Sequence, residues 1–223
     1  MASNDALFNA LNFEMETGNS INQAIANVKG EYSTSTVDEW ANAIHLVWIE
    51  TITLDELISA METIGTFSSS DITTAATIYF LEIQIGVDTT SILNLGQSSS
   101  NPIKVNDYIT MTSNHQSATS GQGGHELVAK DLQPNESIFW TAISTSNSSD
   151  TIQLKEFLAS KSGEDFSEMI ATPKLLSGTE NQYYTYVKSD PELGLVYAYR
   201  FNFTINNGSQ LFTFDPWLET DPS

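Results

Sequence analysis

VNDYITMTSNHQSATSGQGGHELVAKDLQPNESIFWTAIST, residues 105–145, holds three apolar-rich runs, at 108–111, 127–132 and 138–143. Between the first two lies 113–124, made almost wholly of Ser, Thr, Asn, Gln and Gly. Between the second and third lies Gln133-Pro134-Asn135-Glu136, a reverse-turn composition. β-Branched and aromatic residues fill the runs, so the simplest assignment is strand, polar loop, strand, tight turn, strand.

Outward from this stretch the same texture continues. Tyr79, Leu81, Ile83, Ile85 and Val87 alternate with Glu82, Gln84 and Gly86, the period of a strand with one buried face. Downstream, 152–158 fits a strand or a short helix equally, and 161–169 reads as loop with a helical turn. The runs 182–188, 194–205 and 210–214 are aromatic, β-branched strands. Asn206-Asn207-Gly208-Ser209 between the last two is a hairpin signal, because Asn and Gly tolerate positive φ. In 197–205, Tyr197, Tyr199, Phe201, Phe203 and Ile205 form the expected core face. Many short strands with a turn every ten or so residues indicate a mainly β fold, an antiparallel β-sandwich, jelly-roll-like in outline.

Before Thr77 the period is helical. Leu7, Leu11 and Met15 share a face, as do Ile21, Ala24, Ile25 and Val28. Thr36-Val37-Asp38-Glu39 is a capping box, followed by the apolar stripe Val37, Trp40, Ile44, Val47 and Trp48. Thr53-Leu54-Asp55-Glu56 is a second, with Leu54, Leu57, Met61 and Ile64 behind it and Gly65 at the stop. The expected organisation is an acidic α-helical segment over 1–76 and a β-sandwich domain over 77–223.

The charge excludes more than it suggests. Twenty-eight acidic residues against eight basic give a formal net charge of −20. Such a surface repels phosphate backbones and anionic lipid, so neither nucleic acid nor membrane is an expected partner. Residues 1–76 carry 11 Asp/Glu and one Lys, residues 77–223 carry 17 against 7, so charge is about twice as dense in the helical part. There is no cysteine, hence no disulfide and no thiolate chemistry. The first residues lack the basic and apolar regions of a signal peptide, and a cytoplasmic location is expected.

Together these motifs resemble the PixA/AidA inclusion-body family of bacteria. Ser120-Gly121-Gln122-Gly123, then Leu127, then 134–143 is similar to that family's central loop, strand, turn and strand. Ile83-Gln84-Ile85-Gly86-Val87-Asp88 followed by 98–102 resembles its opening strand and Asn/Ser/Pro loop. Leu211-Phe212-Thr213-Phe214-Asp215-Pro216 resembles its closing aromatic strand. The resemblance spans roughly 79–217 and leaves residues 1–76 uncovered. It implies a non-enzymatic protein that self-associates, as a homodimer or higher oligomer, into intracellular inclusions. The alternative is a ligand-binding module, a lectin-like sandwich that holds carbohydrate with the polar loops at 113–124 and 144–149.

Chemistry-bearing residues are few. His115 and His125 bracket the Gln/Ser/Gly loop, and with Glu126 or Asp107 they form a candidate metal set, since imidazole and carboxylate suit zinc or similar ions. Solvated loop histidines are the plainer reading, and His125-Glu126 lacks the second His of a zinc-protease helix. No cofactor is implied, although a divalent cation is compatible with the carboxylates. Ser120–Gly124 lacks the Lys-Ser/Thr of a phosphate-binding loop, and no Gly-X-Ser-X-Gly elbow occurs. His45 reads as a helix-flank residue. Trp40, Ile44 and Trp48 are large groups on a short bundle and, with Trp217 near the end, are the candidate interface residues.

Overall fold

In the computed structural model the chain forms two compact units, Met1–Phe80 and Leu81–Ser223. All residues are described except 1, 50–51, 97, 115–118, 160–165, 189–195 and 221–223.

The first unit is five helices: α1 (Ala2–Glu16), α2 (Ile21–Val28), α3 (Val37–Trp48), α4 (Leu54–Glu62) and α5 (Ser69–Thr77). Both expected capping boxes are present. Thr36 Oγ1 takes the Glu39 amide at 3.2 Å while Glu39 accepts from the Thr36 amide at 2.8 Å, and Thr53 and Glu56 repeat the exchange at 3.3 and 2.8 Å. Ser20 and Gln23 form a third on α2. Each box satisfies amides that would otherwise be orphaned at a helix start. Leu7, Leu11, Ile25, Trp40, Ile44 and Met61 are buried, as the 3.6-residue periodicity requires.

The helix α5 has no apolar stripe to announce it, because SSDITTAAT is rich in poor helix formers. Its hydroxyls hold it locally. Ser68 caps the Asp71 amide at 3.2 Å, and Thr73, Thr74 and Thr77 each donate to the carbonyl four residues back.

The second unit runs β1 (Phe80–Val87), α6 (Thr89–Asn94), β2 (Ile103–Lys104), β3 (Ile109–Ser113), β4 (Thr119–Ser120), β5 (Val128–Leu132), β6 (Ser137–Ser144) and β7 (Ile152–Ala159). It continues through β8 (Lys174–Leu175), β9 (Gln182–Tyr186), β10 (Val196–Ile205), β11 (Phe212–Phe214) and β12 (Trp217–Thr220). Short 3₁₀ turns lie at Asn106–Tyr108 and Phe166–Glu168. The stretch that fits strand or helix equally is strand β7.

Five strands make one sheet in the order β3-β1-β6-β9-β8. Seven make the other, β2-β11-β10-β12-β5-β4 with β7 paired to β10. The second sheet departs from the expected antiparallel jelly-roll: β11 runs parallel to β2, and β12 parallel to β5. In the first sheet, Thr145 just beyond β6 donates to the Val87 carbonyl at the end of β1 at 2.9 Å, so these neighbours also point the same way. The physical reason is connection length. Long excursions separate β2 from β11 and β5 from β12, and only hairpin-joined strands are obliged to run antiparallel. With helices and strands contributing comparably, the chain is mixed α and β rather than mainly β.

Both sheets feed one core. From the five-stranded sheet come Ile83, Ile85, Met111, Ile138 and Trp140; from the other come Leu154, Tyr199, Phe201, Phe203 and Phe214. Trp140 has ring centroids 5.3, 5.7 and 5.7 Å from Phe157, Tyr199 and Phe201, distances at which tilted and edge-on rings attract. The expected core face of β10 is buried from Tyr199 onward, but so are Ala198, Asn202 and Thr204 opposite. Thr204 donates to Gln153 at 2.8 Å and Asn202 to Glu156 at 2.7 Å, which lets polar side chains be buried there.

The indole of Trp140 donates to the hydroxyl of Tyr199 at 2.9 Å with both residues wholly buried. Burial also pushes the Tyr199 phenol well above its ordinary range, so it remains neutral. Changing Tyr199 to Phe keeps the ring and strands the indole N–H in a dry core. The expected loss is about 1–3 kcal/mol, read as a lower urea midpoint with an unchanged slope; an unshifted midpoint would deny the bond any net role.

Candidate functional site

The Ser-Gly-Gln-Gly loop is a lock on strand β3. Gly123 donates to the Met111 carbonyl at 2.7 Å, and Met111 donates to Gly124 at 2.9 Å. Next along the strand, the Gln122 side chain takes over the backbone's role. Its Oε1 accepts from the Ser113 amide at 2.9 Å, and its Nε2 donates to the Ser113 carbonyl and hydroxyl at 3.3 and 3.1 Å. A primary amide carries one acceptor and two donors, so it can imitate a neighbouring strand. Gly121 makes the bend at φ +78°, with the site of an absent Cβ only 2.4 Å from the Glu126 carbonyl. The amides of Gly123 and Gly124 are both committed within the protein, to Met111 and Gly121.

The turn that follows is type II, with Pro134 at its second position and Asn135 at φ +67°. Glu136 donates its amide to the Gln133 carbonyl at 3.1 Å, and its carboxylate accepts from the Gln133 amide at 2.9 Å. The side chain is only 1% exposed. Burial raises its pKa to about 7, against the opposing pull of the Gln133 amide. Nothing in the turn composition distinguishes this buried acid from the solvated ones around it.

Asp215 closes the second unit. It accepts from Asn106 Nδ2 at 2.6 Å and pairs with Lys104 Nζ at 3.0 Å. Although burial works against it, Asn106 and Lys104 keep its carboxyl below the usual range, with a further contribution from the charge of His125. Pro216 directly behind accepts from the Tyr199 amide at 3.0 Å, so the Asp-Pro pair separates β11 from β12 while both remain on one edge of β10.

Of the candidate metal set, His125 Nε2 lies 3.4 Å from Glu126 Oε1, both partly exposed, while His115 lies outside the described residues. Among the described residues no three His, Cys, Asp or Glu side chains converge as a metal site. Of the candidate interface residues, Trp40 and Ile44 are 1% and 0% exposed. Trp48 and Trp217 are half-buried. Trp217 sits within the sheet, on β12 between β10 and β5, rather than at an edge. His45 is not a flank residue: it is fully buried, stacked 5.1 Å from Tyr79 and edge-on to Phe80 at 5.2 Å. Burial lowers its pKa to about 4, so the ring is neutral.

The polar loops define one cleft of about 600 Å³ between Ala142–Ser144, Ser148–Ile152 and Gly178–Asn181. Its polar wall is tied down from behind. Thr89 Oγ1 lies 2.8 Å from Ser144 Oγ and donates to Asp150 at 2.6 Å, and Asn206 donates to the other Asp150 oxygen at 2.7 Å. Bonds from Asn206 and Thr89 keep the Asp150 carboxyl ionised below the usual range. Ser144 and Ser148 thus reach the cleft, while Ser113 and 121–124 are occupied in the lock on β3.

No family model and no curated protein sequence matches the chain. Among solved structures, an inclusion body protein (PixA) from Burkholderia cenocepacia is similar at a TM-score of 0.49 and 15% identity, over 63% of this chain and 94% of that one. No helix among the described residues is long and apolar enough to cross a membrane.

Proposed function

We propose that the chain is a non-enzymatic, PixA/AidA-like protein that self-associates into intracellular assemblies. The observation that carries this reading is the ordered set of motifs at 83–88, 120–143 and 211–216. Each has a structural task in the second unit. Gly86 leaves room for Thr110 and Thr145, Gln122 extends the ladder of β3, and Asp215 binds Asn106 and Lys104. A chain whose distinctive residues maintain a scaffold is suited to a packing role.

Packing copies together at neutral pH brings surfaces of a −20 chain into contact, which costs free energy at every junction. Isolated carboxyls titrate near ~4, so acidification toward ~5 discharges the most crowded ones first. Divalent cations that bridge carboxylates, and salt that shortens the Debye length to about 8 Å, act in the same direction. Light scattering and sedimentation between pH 8 and pH 5, with and without calcium, should show ordered assemblies that dissolve on return to neutrality. A single small species under every condition would sink the proposal.

The cleft favours the ligand-binding alternative. Ser144, Ser148, Asp150, Thr151, Glu180 and Asn181 offer hydrogen bonds to a polyol, but among the described residues no aromatic ring lines it to stack on a sugar face. A glycan-array signal abolished by changing Asp150 to Ala would support this alternative; a blank array would remove it.

A further inference from the structure

We propose that self-association, if the reading above holds, runs head to tail: a groove on the helical unit of one copy receives the Lys174–Leu175 edge of another. The groove, about 260 Å³, has apolar walls from Ile21, Trp48 and Ala60 and a rim that includes Asp55 and Glu56. Glu56 already serves its capping box, whereas Asp55 makes no hydrogen bond or ion pair with the described residues. The occupant such a groove selects is an aliphatic side chain beside a cation.

A second helical unit does not fit that description. Residues 1–76 carry 11 acids and one lysine, so two such surfaces repel, and an isologous helix-to-helix contact is disfavoured. Seven of the eight cations belong to residues 77–223. The large apolar side chains exposed among the described residues are Phe13, Ile78, Leu93, Ile143 and Leu175. Of these, Leu175 alone has a Lys or Arg beside it in the chain.

Leu175 and Lys174 form β8, the outermost strand of the five-stranded sheet, and both are exposed. Successive strand residues point to opposite faces, but at an edge both faces are within reach of one partner. Leu175 then enters between Trp48 and Ile21, and the long Lys174 stem carries its ammonium to Asp55. A contact this small is weak alone, which suits an assembly that forms only at high concentration.

Sedimentation velocity on the full chain, under whichever condition between pH 8 and pH 5, with or without calcium, assembles the wild type most strongly, tests this with Asp55→Lys, Lys174→Asp, Leu175→Ser and the Asp55→Lys/Lys174→Asp double variant, each checked for an unchanged melting curve. Each single change should weaken self-association at least tenfold, and the double variant should restore it. Mixing the two charge-reversed singles should also restore it, because each then offers the partner the other lacks. Assembly by the singles at wild-type strength would overturn this contact and leave self-association standing. Loss in both singles without recovery in the double would mark a general charge effect and overturn it too. Loss with Asp55→Lys alone would assign the groove to a different basic partner. A wild-type chain that stays monomeric at every concentration would instead overturn the self-association reading itself.

Discussion

Lowering the pH from 7 to 4.5 should strengthen the sheet unit and weaken the helical one. The two responses come from two buried groups displaced in opposite directions. Glu136, its pKa raised by burial to about 7 from an ordinary 4.5, binds its proton more tightly in the folded state. Its stabilising contribution is complete below pH 4.5 and is lost as the pH rises through 7. His45, lowered by burial to about 4 from 6.5, is neutral when folded. Its contribution is complete above pH 6.5 and is lost as the pH falls through 4. Displacements of this size correspond to at most about 3–4 kcal/mol each.

Hydrogen exchange resolved by peptide separates the units. Protection over α1–α5 should fall across this range while protection over β6 and β10 rises. Discharge of crowded carboxylates favours both units, so the comparison is with Glu136→Gln, which retains an acceptor for the Gln133 amide, and His45→Phe, which retains a ring against Tyr79. Each variant should flatten the response of its own unit alone. If His45→Phe leaves the slope of the helical unit unchanged, burial of the imidazole is not what sets it. Below the range of ordinary carboxyls the gain of the sheet unit should reverse. There Asp88, held down by Ser91, and Asp150, held down by Asn206 and Thr89, take up protons and lose those bonds.

The sequence made the periodic elements legible and hid the ones that long-range contacts create. Alternation in 79–87 and the apolar stripe behind Thr36 correspond to β1 and α3 because burial on one face writes a period into the chain. Asn206 and Asn207 stand at φ +52° and +56° between β10 and β11, as their composition requires. Two-residue strands such as β2 and β8 have no period; they exist because β11 and β9 supply partners. The same holds for parallel pairing, which depends on strands about fifty or more residues apart. Candidate sites followed this rule. The polar loop was visible, but the pairing of Gln122 with Ser113 needed the fold, and so did the burial of Glu136 and His45. Glu136 lies in a polar turn that carries no sign of enclosure, and His45 borders the apolar stripe of α3 at a position where an imidazole fits flank or core alike.

The loop itself provides the sharpest test. Replacing Gly121 by Ala should cost roughly 3 kcal/mol or more, whereas the same change at Gly123 should cost about 1–2 kcal/mol. Both glycines sit at positive φ, +78° and +82°, where a Cβ crowds the following carbonyl. The backbone strain is therefore common to the two, and their difference isolates the surroundings. Around Gly123 a Cβ meets nothing within 4 Å; at Gly121 it falls 2.4 Å from the Glu126 carbonyl oxygen and 3.1 Å from its carbon. That neighbour is backbone, one residue ahead of the buried Leu127, and cannot rotate away as a side chain would. Relief requires moving 121–124, which would pull Gln122 from Ser113 and break the bonds between Met111 and the loop. Chemical denaturation at neutral pH should give the two midpoints, and exchange at the amides of Met111 and Ser113 should quicken in Gly121→Ala alone. Equal midpoints for the two variants would mean that the close approach yields easily, and the loop would then be a flexible connection rather than the lock on β3.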